Sequence, residues 1–89
     1  MVNHNKTFIG IDGFHRDKNE DARISLDIAT LFQSETGKSV LKYLRSITID
    51  SVNGAAISND ELRHVEGQRY IVGLISTRIK HAEKVKKNG

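Results

Sequence analysis

From Ser58 to about Lys84, apolar residues recur at helical spacing and nothing breaks them. Leu62, Val65, Ile71 or Val72, Leu74, Ile75, Ile79 and Ala82 follow the period of an amphipathic helix. Ser58, with Glu61 three residues on, matches a capping box. No proline interrupts the stretch, and the chain contains none. The pattern predicts one helix from about Asn59 to about Lys84, about 40 Å long at ~1.5 Å per residue. In a chain of 89 residues, everything else must be fitted to that rod.

Two shorter helices precede it. The first is expected from about Asn19 to Phe32, with Ile24, Ile28, Leu31 and Phe32 at i, i+4, i+7 and i+8. Asp17 or Asn19 can cap it, and Glu20 and Asp21 suit its first turn. Ser34 reads as a second N-cap, before a helix that carries Val40, Leu41, Leu44 and Ile47 on one face. This helix is expected to end around Ser46 to Thr48 and to pair with the last one as an antiparallel hairpin. Ile47 to Val52 alternates like a short strand, and Asn53-Gly54 is a turn dipeptide. With no second strand nearby to pair with, the segment reads as a loop.

The fold class expected is therefore all-α: a small two- to three-helix domain over residues 18–89, with a long C-terminal helix and a helical hairpin. Residues 1–17 read as an extended N-terminal arm. Phe8, Ile9, Ile11 and Phe14 are too apolar for a solvated tail, and too few and too broken by Gly10 and Gly13 to build a core. The expectation is an arm that orders only against a partner.

A chain this short buries only ~60–65% of its unfolded surface. Small scaffolds usually need a disulfide, a metal, a second copy or a docking partner. There is no cysteine, which excludes a disulfide and a thiolate zinc site. No apolar run approaches the ~20 residues of a membrane span, and the first six residues lack the apolar stretch of a secretory signal. Asn5-Lys6-Thr7 fits a glycosylation acceptor pattern and is read as chance. Docking or self-association remains.

Motifs for chemistry are weak. Gly37-Lys38-Ser39 lacks the P-loop's earlier glycine, since Phe32 stands there. His4, His15, His64 and His81 form no i+3 or i+4 pair, so no metal or cofactor site is expected. No nucleophile elbow is present, the acidic residues read as caps or surface charges, and the chain is expected not to be an enzyme. The formal charge is +3 and uneven. Arg78, Lys80, Lys84, Lys86 and Lys87 gather near the C-terminus, where cations complement a helix dipole and form a candidate contact for nucleic acid. Aromatic residues interleaved with these charges for base stacking are absent.

Two stretches carry a resemblance. They are Phe32-Gln33-Ser34-Glu35-Thr36-Gly37-Lys38-Ser39-Val40-Leu41-Lys42-Tyr43-Leu44 and Glu66-Gly67-Gln68-Arg69-Tyr70-Ile71-Val72-Gly73-Leu74-Ile75. A Phe-x-Ser/Thr-x-x-Gly-x-x-Val-Leu helix start, followed by a Glu-Gly-x-Arg helix, resembles a family of small virion proteins of short-tailed bacteriophages. Their genes lie among head and neck genes. The resemblance spans roughly Leu31 to Ile79. It implies a structural part of a particle, present in several copies on capsid, portal or adaptor, assembled in the host cytoplasm, without catalysis. The N-terminal arm, the first helix and the linker from Thr48 to Ile57 depart from the pattern.

Beside the resemblance, Gly37 in a first turn and Gly67 within a helix read as places where another backbone comes close. With Arg69, Phe8, Ile9, Ile11 and Phe14, they form the expected protein interface. The basic C-terminal end is the candidate for non-specific contact with packaged DNA. As an alternative function, it would make the chain a small nucleic-acid-binding protein.

Overall fold

The computed structural model describes residues 7–54 and 56–88. The order of elements is β1 (Thr7–Ile9), β2 (His15–Asp17), α1 (Lys18–Phe32), α2 (Glu35–Ser46) and α3 (Asn59–Asn88). The chain is mostly α-helical, with the expected long C-terminal helix. His4, the Asn5-Lys6 part of the acceptor pattern and the start of the arm lie outside the described residues.

The caps fall where side-chain chemistry puts them. Asp17 accepts hydrogen bonds from the backbone N–H groups of Asn19 (3.0 Å) and Glu20 (3.3 Å) and starts α1. Ser34 accepts from Gly37 N–H at 2.9 Å and starts α2. Ser58 accepts from Glu61 N–H at 3.1 Å, ahead of α3. At 30 residues, α3 is longer than expected because no breaker stands between Lys84 and Asn88.

Helix pairing differs from the expectation. The main partner of α3 is α1, and α2 packs more lightly against both. The buried face of α1 is not its apolar stripe. Asp21, Ser25 and Ala29, at i, i+4 and i+8, point into α3, whereas Ile24 and Ile28 are half-buried and Leu31 is exposed. Small residues let the two helices approach closely: Ser25, Ala29 and Ala82 are all essentially inaccessible. Among the described residues, Ala29, Val72 and Ala82 are the buried apolar ones. The outer face of α1 is polar, where Arg23 pairs with Glu20 and Asp27.

At the α1–α2 corner, Gly37 is buried. A Cβ there would lie 2.1 Å from the carbonyl oxygen of Leu31 and 2.6 Å from Phe32 Cα, so only glycine fits. The close approach expected at Gly37 is therefore made by the chain's own preceding turn. Gly37-Lys38-Ser39 is the first turn of a helix. The linker after α2 is a series of turns: Asp50 N–H donates to Arg45 O (2.9 Å) and Ile57 N–H to Gly54 O (3.3 Å).

Residues 7–17 of the N-terminal stretch form a hairpin. β1 and β2 pair antiparallel, with Phe8 opposite Arg16 and Ile9 opposite His15. Gly13, at φ 85°, makes the turn possible, and Gly10 N–H donates to Phe14 O at 2.8 Å. The hairpin does not hold through its apolar residues; charge holds it, as shown below. The whole measures 56 × 33 × 16 Å, with a radius of gyration of 16.2 Å. A compact domain of this length has ~12 Å, so the body is flat and elongated.

Candidate interaction surfaces and the charged clasp behind them

Arg78 organises the interior. It is 1% exposed and reaches from α3 to α1 and the hairpin loop. Its Nη1 donates to Asp21 O (2.9 Å) and to Ser25 Oγ (3.0 Å). With both Nη1 protons used, Asp21 Oδ1 at 2.7 Å is a charge contact rather than a hydrogen bond. Nη2 lies 3.4 Å from Asp12 Oδ2 and donates no hydrogen bond. Ser25 Oγ is also 2.7 Å from His81 Nδ1, which ties a second α3 residue into the cluster.

Asp12 fastens the hairpin to this cluster. Its Oδ2 accepts from Arg16 Nε at 2.9 Å, its Oδ1 accepts from Phe14 N–H at 3.1 Å, and its carbonyl accepts from Tyr70 Oη at 3.2 Å. The side-chain hydrogen bond from Arg16 holds the Asp12 carboxyl down at about 2. Burial opposes this, while the Phe14 N–H and the charges of Arg16 and Arg78 assist. Two carboxylates, Asp12 and Asp21, thus balance two guanidiniums, Arg16 and Arg78. Buried charge is tolerable only when paired in this way.

Arg78 therefore leaves the candidate nucleic-acid set, because its charge is spent inside the chain. Lys80, Lys84, Lys86 and Lys87 remain exposed along the end of α3. Asp12 and Asp21 likewise leave the class of surface acids. Arg69 also works inward: its Nε donates to Thr48 O (3.0 Å), its Nη2 to Ser51 O (2.9 Å), and its Nη1 pairs with Glu66 at 2.8 Å. It fastens the linker onto α3. At Gly67 a Cβ would meet nothing within 4 Å, so among the described residues no other backbone comes close there.

Three apolar surfaces remain outside. On the hairpin, Phe8, Ile9 and Phe14 are exposed, with the Arg16 guanidinium 5.7 Å from the Phe14 ring centre; Ile11 is half-buried. At the α1–α2 corner, Leu31, Phe32, Thr36 and Val40 line a hollow. Along α1 and α3, Ile24, Ile28, Ile71, Leu74 and Ile75 line a second hollow, with Asp12 and Arg78 at its base. From Ile71 that face continues as a groove past His64 and Gly67, beyond the end of α1.

The sequence reading missed the clasp. Its visible signal is a polar, small-residue stripe, Asp21-Ser25-Ala29, facing a basic residue set among Leu74, Ile75, Ile79 and Ala82. Among the described residues, no His, Asp and Glu side chains gather as a metal ligand set, and no helix is long and apolar enough to cross a membrane. No family model, no curated protein and no solved structure matches the chain.

Proposed function

We propose that this chain is a non-enzymatic structural component of a bacteriophage particle, carried in several copies. It docks through the hairpin and the α1–α2 corner on a larger head or neck protein such as the capsid, portal or adaptor. The observation behind an interaction role is the inversion of its side chains. Phe8, Ile9, Phe14, Leu31, Val40 and Tyr43 are exposed, while the buried apolar residues among those described are two alanines and a valine. Single exposed hydrophobics are ordinary on a monomer, but grouped ones mark contact surfaces. Burying such side chains against a partner is worth ~1.5–3 kcal/mol each.

The phage assignment rests on the motif resemblance of Phe32–Leu44 and Glu66–Ile75. Part of both motifs has a reason in the fold: Gly37 turns the α1–α2 corner and Arg69 holds the linker. The nucleic-acid reading keeps Lys80, Lys84, Lys86 and Lys87 as its support.

Mass spectrometry of gradient-purified particles from cells carrying the gene tests the proposal. A fixed stoichiometry of the chain with capsid or portal supports it. Absence from particles that are otherwise complete overturns it. Binding of duplex DNA by the purified chain, falling steeply with salt, would favour the nucleic-acid reading instead.

A further inference from the structure

We infer that the hollow between the start of α1 and the end of α3 is a phosphate-binding site, in which Lys18, Lys84 and the Nε2–H of His81 hold the oxyanion. This goes beyond docking through the hairpin and the corner, and it brings Lys18 and His81 to the exposed lysines at the end of α3.

The first turn of α1 sets Lys18 and Asn19 beside the last turns of α3, where His81, Lys84 and Asn88 stand at i, i+3 and i+7 on one face. Together they ring a hollow of about 500 Å³. Clefts that take small molecules measure ~300–1,000 Å³. Among the described residues, no carboxylate lines it. The nearby acids are engaged elsewhere. Asp17 caps α1 through the N–H groups of Asn19 and Glu20, Glu20 pairs with Arg23, and Asp21 faces Arg78. Glu83 falls on the opposite side of α3 at ~3.6 residues per turn.

The clasp fixes which way the imidazole donates. Ser25 Oγ accepts from Arg78 Nη1 at 3.0 Å and lies 2.7 Å from His81 Nδ1. A guanidinium cannot accept, so the hydroxyl proton goes to Nδ1. The neutral ring then carries its proton on Nε2, and the cationic ring carries one there too. Nε2 is on the far side of the ring from buried Ser25, toward the hollow that His81 lines. Lys18 and Lys84 supply charge and His81 supplies direction, and charge-assisted hydrogen bonds to an anion are the strong ones. Because Ser25 and Arg78 are buried, the ring is held before any ligand arrives. Lys80, Lys84 and Lys87, at i, i+4 and i+7, continue the positive charge along α3, which suits a phosphodiester backbone. Inorganic phosphate is the other source of the same group.

NMR on the full chain tests the site. Inorganic phosphate, titrated against chloride at equal ionic strength, should shift the amides of Lys18, Asn19, His81 and Lys84 saturably. The long-range proton–nitrogen spectrum should show a protonated Nε2 on His81. Lys18→Gln with Lys84→Gln should weaken phosphate binding at least about tenfold with unchanged far-UV circular dichroism. Lys38→Gln with Lys42→Gln, which removes the same charge from α2, should not. A short DNA duplex separates the sources. If the backbone is the ligand, the first double variant lowers the slope of log affinity against log salt by about two. If the two double variants bind duplex equally while only the first loses inorganic phosphate, free phosphate is the ligand. No saturable shift with phosphate, together with equal duplex binding by both variants, overturns the inference. So does a His81 ring whose only proton is on Nδ1. Particle incorporation is scored separately, so a phosphate site in a chain absent from particles defeats the proposed function alone.

Discussion

The two halves of α3 are built on opposite terms. From Leu74 to Val85 the helix is covered by α1, and what holds the two together is a charged clasp: Arg78 against Asp21, Ser25 and Asp12. From Asn59 to Tyr70 it is covered on one side only, by the linker that Arg69 fastens, and its His64–Gly67–Ile71 face is open. The closed half is held by buried, paired charge. The open half keeps its charges, Asp60, Glu61, Arg63 and Glu66, at the surface, beside exposed Leu62 and Tyr70. The clasp specifies how the chain folds on itself.

The clasp carries the largest expected effect. Arg78→Ala leaves Asp21 buried without its cation, which costs ~3–5 kcal/mol. Thermal or urea unfolding should show a chain barely folded at 25 °C. Little change would mean that the apolar contacts alone hold the closed half, and the contrast between the halves would fail.

Gly37→Ala comes next. The added methyl meets backbone at the α1–α2 corner, so the cost should reach about 3 kcal/mol, the upper end for overpacking. The same unfolding measurement reads it. A neutral result would show that the corner can open, and would free Gly37 for contact with another chain.

Arg69→Ala should cost ~1–3 kcal/mol through its two lost bonds to backbone carbonyls. Hydrogen exchange should speed up at the amides of Thr48, Asp50 and Ser51, with the clasp unaffected. Faster exchange throughout α1 would show that the open half supports the closed one.

Acid acts more locally. The Asp12 carboxyl is held at about 2, below its ordinary value of 3.8, by Arg16 first and then by Phe14 N–H and the nearby cations. A carboxyl depressed in the folded state contributes stability that is complete above about pH 4 and is lost as the pH falls through about 2. Two-dimensional NMR should show the hairpin, with Phe8 and Phe14, leaving the helices in that window. A hairpin still docked at pH 1.5 would mean that Asp12 is not what fastens it.

The smallest effect is at Gly67. In the isolated chain Gly67→Ala should stabilise by up to ~1 kcal/mol, since the site is exposed and glycine is a poor helix former. A destabilising result would show that something in the folded chain packs against Gly67.

These contrasts also show what the residues disclosed beforehand. Asp17, Ser34 and Ser58 signalled all three helix starts, because a cap is local chemistry between a side chain and the next turn. The faces were not legible in the same way. Ile24, Ile28, Leu31 and Phe32 make a convincing apolar stripe, yet α1 turns Asp21, Ser25 and Ala29 inward. That choice depends on Arg78, 57 residues from Asp21, which no local pattern reports. Arg78 itself reads as surface, since arginine is almost never fully buried unless paired. The hairpin was hidden for a related reason. Its strands, Thr7–Ile9 and His15–Asp17, are three residues each and carry no alternation long enough to read. Of the two glycines read as close approaches, Gly37 has its neighbour within the chain, and Gly67 has none there.

Hydrogen exchange along α3 in the full chain tests the central contrast most directly. The amides from Leu74 to Ala82 should be the most protected in the molecule, and those from Leu62 to Ile71 should exchange far faster. Equal protection of the two halves would contradict the account.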